Sequence, residues 1–136
     1  MIRRSDWESR LAREVANGHR RRFAWGAFDC ALFAADCVRA MTDVDPAADW
    51  RGRYDSASGA VAVLPRGLLV AVANAARRLG MEEIPTAFAG RGDLALLRTD
   101  AGLALGIVAG AWTLLPAPAR GLAATPTLDA WKTLRV

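Results

Sequence analysis

Glutamine is missing altogether from these 136 residues, and Lys132 is the only lysine among 18 basic side chains. Such a bias reflects a GC-rich coding sequence before it reflects chemistry, and it leaves positive charge almost wholly to arginine. Histidine is limited to His19, and cysteine to Cys30 and Cys37. Two thiols and one distant imidazole do not make a metal site, so neither a metal nor another cofactor is expected. Read as members of one helix, Cys30 and Cys37 have Cα atoms roughly 10 Å apart, from the helical rise per residue. That is beyond disulfide reach, so both thiols are expected to be free, as suits a reducing compartment or a particle assembled in one. Long apolar runs are lacking too: the stretches at 67–76 and 103–118 are broken by Asn74 or by glycine and proline, and a membrane span is not expected. Behind Arg3-Arg4 come Asp6, Glu8, Arg10, Arg13 and Glu14 instead of an apolar segment. A signal peptide is therefore not expected, and the chain reads as soluble.

What is present suffices for one core. Hydrophobic residues make up 53% of the chain, and a single domain over 1–136 is the natural expectation. The formal net charge is +4, a sign that suits anionic partners. Apart from Arg3-Arg4, Arg20-Arg21-Arg22 and Arg77-Arg78, however, the arginines are scattered, with no aromatic-interleaved basic stripe. Nucleic acid is not the expected partner.

Ser5-Asp6-Trp7-Glu8 has the form of a capping box and predicts a first helix with Leu11, Ala12, Val15 and Ala16 on its apolar face, stopping at Asn17-Gly18. A basic loop, His19 to Arg22, leads into the aromatic segment Phe23 to Phe28. Asp29 is a good N-cap, and Cys30 opens a second helix that runs to about Met41. After a polar connection from Asp45-Pro46, Ser58 can cap a short helix through Leu64, and a longer helix follows from Gly67 to Arg78, ended by Gly80. Beyond Pro85 the pattern changes to short strands at 93–98, 103–109, 111–115 and 131–136, while the segment holding Pro116, Pro118, Gly121 and Pro126 reads as loop. Helices followed by an antiparallel sheet predict an α+β domain.

Chemistry concentrates at Cys30. A cysteine in the first turn of a helix faces unpaired N–H groups and the positive end of the helix dipole, which favours thiolate, whereas the adjacent Asp29 opposes it. Phe23, Trp25 and Gly26 precede it and can wall a cleft. Arg51, Arg53, Tyr54 and Asp55 read as solvated surface, with a groove beside Cys30 as the alternative. Trp112 and Trp131, on predicted strands, suit a core or interface role better than ligand stacking. His19 reads as a solvated loop histidine.

Phe23-Ala24-Trp25-Gly26, Asp29-Cys30 opening a helix, Ala34-Ala35-Asp36 within it, Gly92-Asp93-Leu94 opening a strand and Gly106-Ile107-Val108-Ala109-Gly110 on the next occur in that order. In this the chain resembles the NlpC/P60 family of papain-like cysteine peptidases, and within it the short offshoot associated with phage tails. The resemblance covers most of the chain from Phe23 onward and implies a papain-like fold with Cys30 at the position of the nucleophile. Three departures count against catalysis. Ala31-Leu32 replace the Ser-Gly that follows the nucleophile, Phe23 replaces a tyrosine, and Ala104 stands where the catalytic histidine belongs. From Ala75 to Val136 there is no His, Asn or Gln to take that place.

The resulting expectation is a structural or assembly component of a phage, prophage or gene-transfer-particle tail, near the tail tip in the virion, on a degenerate peptidase fold. Its partners would be other tail proteins, with peptidoglycan as a further candidate. The alternative is an active hydrolase of cell-wall peptides with Cys30 as nucleophile and an unconventional base, His19 or a carboxylate. A nucleic-acid accessory role is a weaker third.

Overall fold

The computed structural model describes residues 1–136, and the chain folds as α+β: four helices followed by an antiparallel sheet. Helix α1 spans Trp7–Gly18, α2 Cys30–Thr42, α3 Ala57–Val63 and α4 Gly67–Leu79. The strands are β1 (Glu83–Ile84), β2 (Leu94–Thr99), β3 (Gly102–Ala109), β4 (Trp112–Pro116), β5 (Leu122–Pro126) and β6 (Lys132–Leu134). They lie in the order β1-β6-β2-β3-β4-β5. The last strand thus inserts between the first two, pairing Leu94 with Leu134 on one side and Glu83 with Leu134 on the other.

Helix α2 is apolar nearly all round, as a helix covered on several sides must be. From Ala31 to Val38 every residue is buried, and the helix packs between α1 and β3. Phe33, Cys37, Val38 and Met41 meet Leu94, Leu96, Leu105 and Ile107 of the sheet in the main core. Alternation along β3 puts Leu105 and Ile107 on this helix-facing side. Thr113 and Thr133 are also fully buried, and the Thr113 hydroxyl bonds that of Thr127 at 3.1 Å. Gly106 allows β3 and β4 their close approach, since a Cβ there would stand 2.5 Å from Thr113 Cγ2.

Both chain ends are tied to one buried carboxylate. Asp93 accepts from Arg3 at 3.0 Å, from the N–H of Val136 at 3.1 Å and from the N–H of Gly90 at 2.8 Å. Arg3 also donates to the Val136 carbonyl at 3.0 Å and lies 4.3 Å from the Trp7 ring centroid. The Gly-Asp pair singled out in the sequence is therefore a structural clasp.

The helix starts correct two details. Asp6, not Ser5, occupies the cap of α1 and makes no side-chain capping bond; its carboxylate instead takes Arg10 at 2.9 Å, one turn on. Helix α3 is capped by Ser56, which accepts from the Gly59 N–H at 3.0 Å, two residues earlier than Ser58. The segment read as loop contains β5, which pairs along the whole of β4. Trp131 lies just before β6, not within it, and is covered by Arg98 with its guanidinium carbon 4.3 Å from the ring centroid. Trp112 opens β4 but is 53% exposed, so it is no part of the core.

Candidate functional site

Asp29 caps α2 from an extended backbone, and its Oδ1 accepts the Leu32 N–H at 2.9 Å. Its Oδ2 accepts the Gly26 N–H at 3.0 Å and the Tyr54 hydroxyl at 2.6 Å. The carboxylate is 2% exposed and fully engaged. Gly26 is required where it stands: its φ is +79°, and a Cβ there would lie 1.9 Å from the Tyr54 carbonyl oxygen. The aromatic loop and the connection after α2 are thereby clamped together over the start of the helix.

Cys30 is the first residue of α2, as the cap predicts, and is half-buried, while Cys37 is fully buried; both are free thiols. Burial pushes the Cys30 thiol up from its ordinary pKa, and the charge of Asp29 adds to that. The backbone N–H groups of Leu105 and Ala31 act the other way without overcoming it. Desolvation thus opposes the thiolate that a helix N-terminus favours.

The thiol opens onto a cavity of about 310 Å³ whose walls include Trp25, Tyr54, Val61, Leu68 and Leu103. Trp25 is 43% exposed and packs edge-on against Phe23, ring centroids 5.1 Å apart. The opposite wall is α3, which buries none of its own residues. Asp29, Cys30 and Tyr54 bring the polar atoms to an otherwise apolar cleft.

The sequence-derived candidates are only partly assembled. Trp25, Asp29 and Cys30 meet at the cleft, with Phe23 behind Trp25 and Gly26 bonded to Asp29. His19 does not join them. It follows α1 and lines a separate apolar hollow with Val15, Val108 and Ala109, at the other end of β3. Ala104 is not the residue opposite the sulfur either: Leu103 lines the cleft, Leu105 faces the core beneath it, and alternation turns Ala104 to the far side of the strand. Spacing along a chain does not say which face of a strand is presented.

Tyr54 is the residue that the sequence left between two readings, and the structure divides its neighbours. Arg51 is drawn between Asp36 at 2.9 Å and Asp45 at 2.7 Å, Arg53 bonds the Asp49 carbonyl, and Asp55 is exposed. Only Tyr54 reaches the cleft. Burial first, then the bond to Asp29 and the charges around it, push its phenol far above the ordinary tyrosine range. The chain thus has Phe23 two residues before Trp25, and brings a phenol to the cap of α2 from another segment.

A family profile described as a domain of unknown function, DUF6950, matches residues 2–136. The chain belongs to that family. The match takes in every element described above, from the Arg3 clasp to the last strand. No curated protein matches the chain. No three His, Cys, Asp or Glu side chains converge as a metal ion would need, and no single helix is long and apolar enough to cross a membrane.

Proposed function

We propose that this chain is a structural or assembly component of a phage, prophage or gene-transfer-particle tail, held near the tail tip, and built on a papain-like NlpC/P60-type fold that no longer catalyses. The observation that carries the reading is that Leu103 lines the cleft onto which Cys30 opens. A cysteine opens the central helix against the sheet, where a papain-like nucleophile belongs, and the strand wall facing it offers an isobutyl group in place of a base. A thiol at its ordinary pKa is only a few per cent ionised at neutral pH, and the burial of Cys30 reduces that further. The carboxylate nearest the sulfur, Asp29, is spent on capping α2 and on holding Gly26 and Tyr54. General-base assistance, worth roughly 10²–10⁴-fold, has no free proton acceptor in the cleft. What remains is a mostly apolar socket, its one carboxylate already engaged by three donors, suited to binding.

Two measurements on the intact system test this. Purified protein incubated with peptidoglycan sacculi is expected to release no soluble peptides, and particles induced from a strain carrying the chain are expected to contain it in the tail fraction. Release of peptides that disappears in Cys30→Ala would overturn the non-catalytic reading in favour of a cysteine hydrolase. Absence of the chain from both assembled tails and their assembly intermediates would end the tail reading.

A further inference from the structure

Arg22 and Arg120 are partners across an isolated antiparallel bridge that joins the aromatic loop to the segment before β5. The hydrogen bonds beside them, from the Phe23 N–H to Ala119 at 3.2 Å and from the Gly121 N–H to Arg21 at 2.8 Å, flank the pair instead of joining it. That makes Arg22 and Arg120 a non-hydrogen-bonded pair, the kind in which opposed Cα atoms are only about 4.5 Å apart and side chains leave one face closest together. Like charges placed so are destabilising. Both residues are exposed, as is Arg20 two positions earlier. Of this loop only Arg21 reaches a carboxylate, Asp36 at 4.0 Å, and it turns inward over the Phe28 ring. The fold opposes two exposed arginines across one bridge, neither within salt-bridge distance of a carboxylate, when a single carboxylate at either position would have relieved the repulsion.

We infer that the Arg22–Arg120 pair, with Arg20 two residues earlier in the same basic loop, is a docking site for an acidic segment of a partner protein. Paired guanidinium groups present a fork for carboxylates, and Arg is the side chain suited to that geometry. The site is local, one cross-strand pair and a neighbour, where a phosphate polymer would call for a track of positive charge. Trp25, three residues beyond Arg22, is half-exposed and forms a wall of the Cys30 cleft. The same loop thus offers charge at one end and apolar surface at the other, which matches a segment of mixed acidic and apolar residues. The inference does not depend on whether the Cys30 cleft is catalytic.

The probe is a fluorescent peptide of alternating glutamate and leucine, titrated with the full chain at low salt and at about 150 mM, where exposed charges are screened beyond ~8 Å. Binding is expected at low salt and to weaken at the higher salt. Arg22→Glu and Arg120→Glu should each reduce affinity about tenfold, while Arg77→Glu, the same charge change on α4, leaves it unaltered. The two site variants should also melt higher than wild type by roughly 1–4 °C, because a like-charge pair becomes an opposite-charge one. Higher stability with lost binding is the expected signature, and it shows at once that the variants fold. Equal loss in Arg77→Glu, unchanged affinity in both site variants, or tighter binding of a single-stranded oligonucleotide than of the peptide at ~150 mM salt would each overturn the inference.

Discussion

The Tyr54 hydroxyl donates to Asp29 across 2.6 Å, linking the connection after α2 to the residue that caps that helix just before Cys30. One hydrogen bond therefore fixes the floor of the cleft and one of its walls. It also makes Asp29 acceptor to three donors at once, which leaves this carboxylate no role as a base.

Tyr54 is the only tyrosine, so its ionisation can be followed by ultraviolet absorbance without interference from another phenol. Its folded pKa is raised, by burial first and then by Asp29. The stability this contributes is present below the unfolded value of about 10 and is lost as pH rises beyond it. Phenolate absorbance in the folded protein should appear only with alkaline unfolding. Tyr54→Phe should cost about 1.5–3 kcal/mol in urea titrations at neutral pH, as for other hydrogen bonds to a charged group. A phenol titrating near 10 in folded protein would contradict the account.

Cys30 should alkylate more slowly at neutral pH than an unhindered cysteine, since burial raises its pKa. A base introduced at Leu103, which lines the cleft, should accelerate that reaction, whereas one introduced at Ala104 should not. Alkylation rates of Leu103→His and Ala104→His, read by mass spectrometry with Cys30→Ala as the blank, decide the matter. Acceleration in Ala104→His instead would mean that the strand presents its other face to the sulfur.

Removal of the Asp93 carboxylate takes from the partly buried Arg3 its only carboxylate partner, leaving it two backbone carbonyls, and deprives the backbone N–H groups of Val136 and Gly90 of their acceptor. Breaking a buried pair in this way costs about 3–5 kcal/mol. Asp93→Ala should show a loss near that range in denaturant titrations, with faster amide exchange at both chain ends. Slow exchange at the ends of a destabilised variant would argue against the clasp.

Asp45 has a lowered pKa: burial acts to raise it, but the Arg51 guanidinium and the Ala47 N–H together outweigh that. Its contribution is therefore present above the unfolded value of about 3.9 and lost as pH falls through the lower folded value. Asp45→Asn keeps an acceptor for Ala47 and should be less stable than wild type at neutral pH, with the difference closing below the ordinary aspartate range. A difference independent of pH would assign the effect to packing alone.

Much of this fold is local chemistry and could be read before any coordinates. Asp29 caps a helix because its short carboxylate reaches the third N–H beyond it, and Cys30 opens that helix for the same reason. Gly80 ends α4 in the left-handed conformation that glycine adopts without strain. The absence of any histidine after His19 is likewise a property of the sequence, and it alone means that no strand of the sheet carries an imidazole. Tertiary structure decided the rest. Whether Leu103 or Ala104 meets the sulfur depends on which side of β3 the helix layer covers, and a shift of one residue in a strand exchanges its faces. Tyr54 reaches Asp29 only because the chain after α2 folds back over Gly26, a long-range contact with no periodic signal. Strand β5, rich in alanine and ending in proline, has weak strand propensity by itself and exists because β4 pairs with it. The opposition of Arg22 to Arg120 was no more legible, since the two lie nearly a hundred residues apart and only the bridge between their segments sets one charge against the other.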